Sequence, residues 1–475
     1  MFRSNVFIFV KEYLMKKLIT FFLVVLPFAL YGQNGEVGFI SEEIPDSWSY
    51  DEIFSQEAPG EERWWDRFED PKLDSLITIA CERNFSVIAA MANIRRAKAS
   101  WKGIRSNMLP TLDFGAGWQR NKSSGNIATS DFNESWSGYF DTNLSMSWEI
   151  DIFSKIYKRA KAQKELYIAS EEEYRAVLMT LCANVATTYF SLRTSLAKAQ
   201  VLKENAGSQM EIIKLVEARY NSGLASKLDV SQARSVYYST LASIPPIEAD
   251  ILQYRNTLAT LIATYPQEMR NFVCEPQLQY VYMEPVNIGI PAGLIRRRPD
   301  IRANEKEVEA YASLLGASKR DWLPSVYING SIGFMSEDIK KLPRSKSLTW
   351  EIAPSISWNI FDGKTTYATR EAKAQLEQSI AQFNNSVLTA IQEVENAIAI
   401  YKNSILQIVA LRETVNRNRE TLNLSIELYR QGLAEFQNVL DAQRTLLNYQ
   451  ETLVQAQGNS LISLVELYKA LGGGW

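Results

Sequence analysis

The chain has 475 residues, 46% hydrophobic and 22% charged, with 51 basic and 54 acidic side chains and a formal net charge of -3. That composition suits a folded protein, and the charge balance argues against a nucleic-acid partner. There is no histidine, which removes Ser-His-Asp and Cys-His catalysis, histidine-ligated zinc and histidine as general base. Cys81, Cys182 and Cys274 lie far apart with no Cys-x-x-Cys spacing and read as small buried hydrophobes. No catalytic residue, metal or cofactor is expected.

Residues 1–32 read as a secretory signal. Lys16 and Lys17 precede an apolar run from Leu18 to Leu30, followed by Tyr31 and Gly32. Met15 reads as the biological start, with cleavage near Gly32. The run is shorter than the ~20 residues of a spanning helix. No cysteine follows it to carry a lipid. Nothing else in the chain approaches a spanning helix, so any membrane span is expected to be β.

Residues 33–265 form a first structural repeat. Positions 34–66 are polar and irregular. Trp64 and Trp65 open a helical region through Leu73, Leu76, Ile77 and Ala80 that ends near Asn84, and a second helical run goes from Ser86 to about Met108. The period then changes to two. Leu112, Phe114, Ala116 and Trp118 alternate with polar or small residues, as do Leu144, Met146, Trp148 and Ile150. This is a β-hairpin over 109–150 with a long polar loop, 120–136. A helical hairpin over 155–264 follows. Its first arm runs without proline from about Ile156 to Ser222, about 100 Å at 1.5 Å per residue. Its apolar seam includes Tyr174, Leu178, Cys182, Val185, Tyr189 and Leu192. It stops at Gly223-Leu224-Ala225, and a helix returns over 226–264.

An equatorial linker, 266–298, leads to a second repeat over 299–475. Leu323-Pro324 echoes Leu109-Pro110, and a second β-hairpin over 323–361 places Trp358 where the first has Trp148. A second helical hairpin over 363–471 carries the seam Leu376, Ile380, Phe383, Val387, Ile391, Val394, Ile398, Tyr401, Ile405 and Ile408, a coiled-coil spacing with one stutter. It turns at Gly432-Leu433-Ala434. Duplication is explicit here: Tyr220, Gly223, Leu224, Ala225, Val230 and Ala233 recur at a constant offset as Tyr429, Gly432, Leu433, Ala434, Val439 and Ala442. Gly223 and Gly432 suit the left-handed position that ends a helix. The fold class is therefore mainly α with a small β part: duplicated long coiled-coil hairpins and four strands.

Alternation of this kind usually means a half-buried sheet in a soluble domain. An export signal, strands of the ~9–11 residues that cross a tilted bilayer path, and Trp118, Trp148, Trp350 and Trp358 near strand ends favour a membrane barrel. Four strands do not close a barrel, so several chains would each contribute two hairpins.

Four stretches resemble the TolC-like outer-membrane efflux ducts, most closely the OprM/NodT-like branch that serves RND-type pumps. They are Trp64-Trp65-Asp66-Arg67-Phe68-Glu69-Asp70-Pro71-Lys72-Leu73, Arg297-Arg298-Pro299-Asp300-Ile301-Arg302-Ala303-Asn304-Glu305, the two Gly-Leu-Ala turns, and Leu467-Tyr468-Lys469-Ala470-Leu471-Gly472-Gly473-Gly474-Trp475. The resemblance implies a homotrimer with a twelve-stranded outer-membrane β-barrel, set in outer-membrane lipid, and a periplasmic α-barrel. It implies the exit duct of a tripartite efflux pump in a Gram-negative bacterium, passing small molecules delivered by a periplasmic adaptor and an inner-membrane RND or ABC transporter. Asp441 matches the family's gate aspartate, and three copies would ring a constriction and favour cations. Asn438 matches a position that is aspartate in some relatives. Asp229 matches a position that ties neighbouring helices together, but its basic partner would fall at Ala434, so Tyr429 is the candidate substitute. Gly223, Leu224, Ala225, Gly432, Leu433 and Ala434 would dock the adaptor. The second hairpin is expected to be the moving gate and the first the fixed wall. Asp229, Asn438 and Asp441 also suit ordinary first-turn positions of helices. Other readings are a duct serving an ABC-type exporter or type I secretion system, metal-ion export, or a periplasmic coiled-coil scaffold without a pore.

Overall fold

The computed structural model describes residues 63–122, 136–272 and 297–473, together with positions 48, 54–55, 274, 286–289, 291 and 293. The expected export signal over 1–32, much of the polar loop 120–136 and most of the linker 266–298 lie outside the described residues.

Two series of elements follow one another with matching lengths. Helix α1 (Pro71–Arg83) leads into α2 (Phe85–Ser106), strands β1 (Thr111–Lys122) and β2 (Trp136–Ile150), the 67-residue α3 (Lys155–Asn221) and the 35-residue α4 (Lys227–Leu261). The second series has α5 (Pro299–Arg320), β3 (Ser325–Ser336), β4 (Leu348–Ser357), the 69-residue α6 (Gly363–Gln431) and the 35-residue α7 (Phe436–Ala470). Helices α2 and α5 are both 22 residues long. Each long helix is thus flanked by a short helix toward the sheet and a returning helix toward the far end.

Local chemistry sets these boundaries. Asp70 caps α1, accepting hydrogen bonds from the Lys72 and Leu73 amides ahead of Pro71 at the first helical position. Asn84, in extended conformation, breaks α1 from α2 and caps the latter through Ser86 N at 2.8 Å. Asp151 accepts from the Ile156 and Tyr157 amides to start α3. Asp362 does the same for α6 through Lys364 N. Among the described residues no single helix is long and apolar enough to cross a membrane.

The strands form one antiparallel sheet in the order β1-β2-β3-β4. The two hairpins meet at β2 and β3, in register from Phe140↔Ser336 to Ile150↔Val326. The register puts the apolar residues on one face. Phe114 faces Leu144, which faces Ile332, which faces Trp350. Leu112, Phe114, Trp118, Trp350, Ile352 and Ile356 are all more than 60% exposed, which no soluble half-buried sheet would tolerate. The opposite face carries Asp113, Asn143, Ser145, Asn329, Ser331 and Glu351. From Ile150 to Phe140, ten steps of about 3.3 Å tilted by ~40° give an apolar band ~25 Å tall, the height of an outer-membrane barrel wall. Strands β1 and β4 are paired on one side only among the described residues, so closure requires further copies. Duplication reaches single hydrogen bonds: Trp148 Nε1 donates to Met108 O at 2.9 Å and Trp358 Nε1 to Trp322 O at 3.0 Å. These two tryptophans tie strand ends to the preceding helix ends.

Two apolar cores hold the helices. The larger lies at mid-length and joins Trp64, Trp65 and Leu73 to the seam residues Val185, Tyr189, Leu192, Val387, Val394, Ile398 and Tyr401. The smaller lies at the far end. Between α3 and α7, a Cβ at Gly458 would collide with the Thr194 side chain, so glycine there permits close helix approach. One expectation needs correction. Cys274 and Cys182 are buried, but Cys81 is half-buried and its sulfur lies 3.6 Å from that of Cys182. Antiparallel packing of α1 on α3 brings together positions far apart in sequence.

Candidate functional site

The far ends of both helical hairpins are built alike. Gly223 has φ +74° and Gly432 φ +76°. Gly223 N donates to Tyr220 O at 2.9 Å and Leu224 N to Arg219 O at 2.8 Å. In the second tip Gly432 N donates to Tyr429 O at 3.0 Å and Leu433 N to Leu428 O at 2.8 Å. These paired bonds are the Schellman ending, which a left-handed glycine makes available. In each tip the next residue is left outward: Leu224 is 66% exposed and Leu433 71%. Ala225 and Ala434 beside them are half-buried.

Beyond the turns the tips diverge. Helix α4 starts with a complete capping box: Asp229 N donates to Ser226 Oγ and Ser226 N to Asp229 Oδ2, both at 3.1 Å. Asp229 thus satisfies its own helix. Helix α7 has Glu435 at the equivalent place, with no side-chain cap. It is held instead by Phe436, which is buried against Tyr429 with ring centroids 5.2 Å apart. Val439 and Leu440 are buried in the same core with Ile212, Ile213 and Val216 of α3 and Ala233 and Val236 of α4. The tips of the two hairpins therefore share one apolar core within a protomer.

Arg219 was not singled out from sequence, yet it connects the tips. Its Nη1 donates to Arg430 O at 2.8 Å, and its guanidinium lies 4.8 Å from the Tyr429 ring centre. The same side chain reaches Leu224 O at 3.4 Å. Tyr429 takes part through its ring; its buried hydroxyl has no hydrogen-bond partner among the described residues. Burial raises the Tyr429 phenol, Asp229 raises it further, and Arg219 opposes both. The available signal was a break in the repeat, since the residue before the repeated tyrosine is arginine in one copy and Leu428 in the other.

Asp441 and Asn438 are exposed on the first turns of α7. Gln437 Nε2 donates to both Asp441 oxygens, at 3.0 and 3.2 Å. The carboxylate makes no contact with Asp229, Tyr429 or Arg219 among the bonds described, so the named residues divide into a buried inter-hairpin clasp and an exposed polar face.

The remaining signature stretches converge at mid-length. Trp64 stacks on Tyr468 with centroids 5.7 Å apart. Asp70 accepts from Tyr189 Oη at 2.7 Å and from Arg193 Nη1 at 2.8 Å. Buried Arg298 binds Asp300, Glu393 and Ala470 O. The two carboxylates outweigh its burial and keep its pKa raised. Gly472, at φ +73°, packs where a Cβ would meet Arg298, and Gly473 N closes on Tyr468 O. Three separated motifs are thus one collar joining the approach to α1, the start of α5 and the end of α7.

The sequence profile of the outer membrane efflux protein family matches residues 76–264 and again 291–473. The chain belongs to that family. It is 32% identical over 410 residues to the solvent efflux pump outer membrane protein SrpC of Pseudomonas putida, covering 86% of each chain. It is 28% identical over 420 residues to the cation efflux system protein CusC of Escherichia coli O157:H7, covering 87% of this chain and 88% of that one. The solved outer-membrane channel OprN matches with a TM-score of 0.86 at 27% identity, over 94% of this chain and 99% of that one. The protein is an outer-membrane efflux duct, with its sheet in the membrane and its helices extending into the periplasm. The unpaired edges β1 and β4 are accounted for by the trimeric barrel known from such neighbours.

Proposed function

We propose that the helical tips are both the gate of this exit duct and the surface that engages the pump. The carrying observation is the pairing of like turns with unlike holds. Both tips present an exposed leucine on a Schellman turn, but the second tip is clasped by Arg219 of the first. In this reading Gly223, Leu224, Ala225, Gly432, Leu433 and Ala434 receive helical hairpins of a periplasmic adaptor coupled to an inner-membrane RND transporter. An exposed apolar side chain beside small residues suits close helix docking. The repeats 33–265 and 299–475 supply one tip each, and Arg298 at the end of the 266–298 linker sits in the collar. No catalytic step is assigned.

In the closed trimer Asp441 from three copies lines the constriction, with Asn438 as a neutral neighbour one turn away. A carboxylate ring attracts cations and holds them at a narrow point. Tyr429 acts behind the ring, its contact with Arg219 setting how firmly the second hairpin rests on the first, while Asp229 caps α4. The cargo is small molecules; SrpC is named for solvents and CusC for cations, so a shared duct serves different pumps.

The test is the Asp441→Ala trimer in planar bilayers. Reversal potentials under a salt gradient should show reduced cation preference while the trimer persists. Unchanged selectivity would remove Asp441 from the constriction.

A further inference from the structure

We propose that Cys81 and Cys182 are joined by a disulfide in the exported protein, a covalent strap between α1 and α3 at the collar. The two sulfurs are in contact at 3.6 Å, although the residues stand 101 positions apart. The contact is the second of two anchors along α1. At its head Asp70 binds Tyr189 and Arg193 of α3. About three turns later, Cys81 meets Cys182 on the same long helix. The neighbouring core is packed: Val185, Ala186 and Ala183 are fully buried around Cys182. Bond formation draws together two side chains already held by packed helices, not two loops.

The compartment supplies the chemistry. Periplasmic helices of an outer-membrane protein lie where disulfides form and persist. Cys81 is half-buried and Cys182 buried, so an incoming oxidant meets Cys81 first. The Cys182 hydrogen bond lowers the Cys81 thiol, aided by Arg63 and opposed by burial. Cys182 is raised by the same contact and by burial. Cys81, the more accessible of the two sulfurs, is accordingly the attacking thiolate. Its sulfur attacks a protein disulfide of a periplasmic oxidase, breaking that S–S bond and releasing one oxidase thiolate. Cys182 then loses its proton and attacks Cys81 Sγ in the mixed disulfide, displacing the second oxidase thiolate. Two thiols of the duct are oxidised, one oxidase disulfide is reduced to two thiols, and the two protons pass to them.

A strap here closes a loop containing both strands of the first β-hairpin and the upper part of α3. Long loops lose the most unfolded-state freedom on cross-linking. It would hold the collar fixed while the tips, far along α3, rearrange.

The experiment uses the full chain, exported and purified as a trimer from outer membranes of cells with an intact disulfide-forming system. Protein is alkylated under denaturing conditions without reductant and its peptides mapped by mass spectrometry. The expected result is one linked species containing Cys81 and Cys182, separated by dithiothreitol, with Cys274 alkylated. Alkylation of all three cysteines, or a link through Cys274, overturns the proposal. Thermal melting of the detergent-solubilised trimer then tests the strap. Dithiothreitol should lower the wild-type midpoint to that of Cys81→Ser and leave the variant unchanged. A wild-type midpoint indifferent to the reductant would show that the bond holds nothing.

Discussion

The two periplasmic tips share a turn but not a foundation. The first caps its own returning helix with Ser226 and Asp229, and its Arg219 reaches across to Arg430 O of the second. The second has no side-chain cap and rests Tyr429 and Phe436 on a core completed by the first. The duplicated tips therefore share one core but differ in how the returning helix is started. The second tip is thus held by contacts between the two hairpins, Arg219 on Tyr429 and the shared core, whereas the cap of the first acts within its own hairpin. A gate proposed for the second hairpin would have to break those contacts between hairpins and could leave the cap of the first intact.

The largest effect should come from destroying what the tips share. Gly223→Val with Gly432→Val places a β-branched residue at φ near +75° in both turns, a cost of roughly 1–2 kcal/mol each in a helix-ending position. A Cβ at Gly223 meets nothing within 4 Å, and one at Gly432 meets only Arg219 at 3.7 Å, so trimers should survive. Export should be lost, seen as drug susceptibility equal to that of a strain lacking the duct. Normal resistance would end the docking role.

Next in size is the clasp. Arg219→Ala removes a hydrogen bond to Arg430 O and a guanidinium–ring contact, together about 1–2 kcal/mol at a partly exposed site. If the second hairpin is the moving gate, idle channels should open more often, with a several-fold rise in mean conductance and in entry of large antibiotics. If opening frequency is unchanged, the two tips are equally held and the comparison fails. Ser226→Ala is the counterpart. It should cost about 1 kcal/mol of local stability through the lost cap, read as faster amide exchange at the start of α4, with little change in conductance.

Much of this architecture was legible in the sequence, for reasons that also mark the limit. Period-two runs around Trp118 and Trp148 and the long seam from Leu376 to Ile408 announce strands and helices because burial imposes their spacing. The turns were legible because glycine alone takes φ near +75° without strain. Arg219 was not, because a cation-on-ring contact between hairpins leaves no periodic trace; its one mark is the mismatch with Leu428. The Cys81–Cys182 contact was hidden for the same reason, since it depends on how α1 lies on α3. The convergence of Trp64, Arg298 and Tyr468 was likewise invisible, although each lay in a stretch that resembled the family.

The smallest effect concerns proton loss at the second tip. The buried Tyr429 phenol is raised, first by burial and then by Asp229. A group whose folded pKa lies above its unfolded value contributes stability that is whole below the unfolded value, about 10 for tyrosine, and is lost as pH rises through the folded one. The second tip should therefore loosen as pH climbs above about 10, and idle conductance should rise there. Tyr429→Phe should abolish that alkaline rise. The hydroxyl has no hydrogen-bond partner among the described residues, so its removal should leave neutral-pH conductance close to wild type. The ring is retained, so Arg219 keeps its contact. A variant that still opened at alkaline pH would place the titrating group elsewhere, and one that opened at neutral pH would show that the hydroxyl, not the ring, carries the clasp.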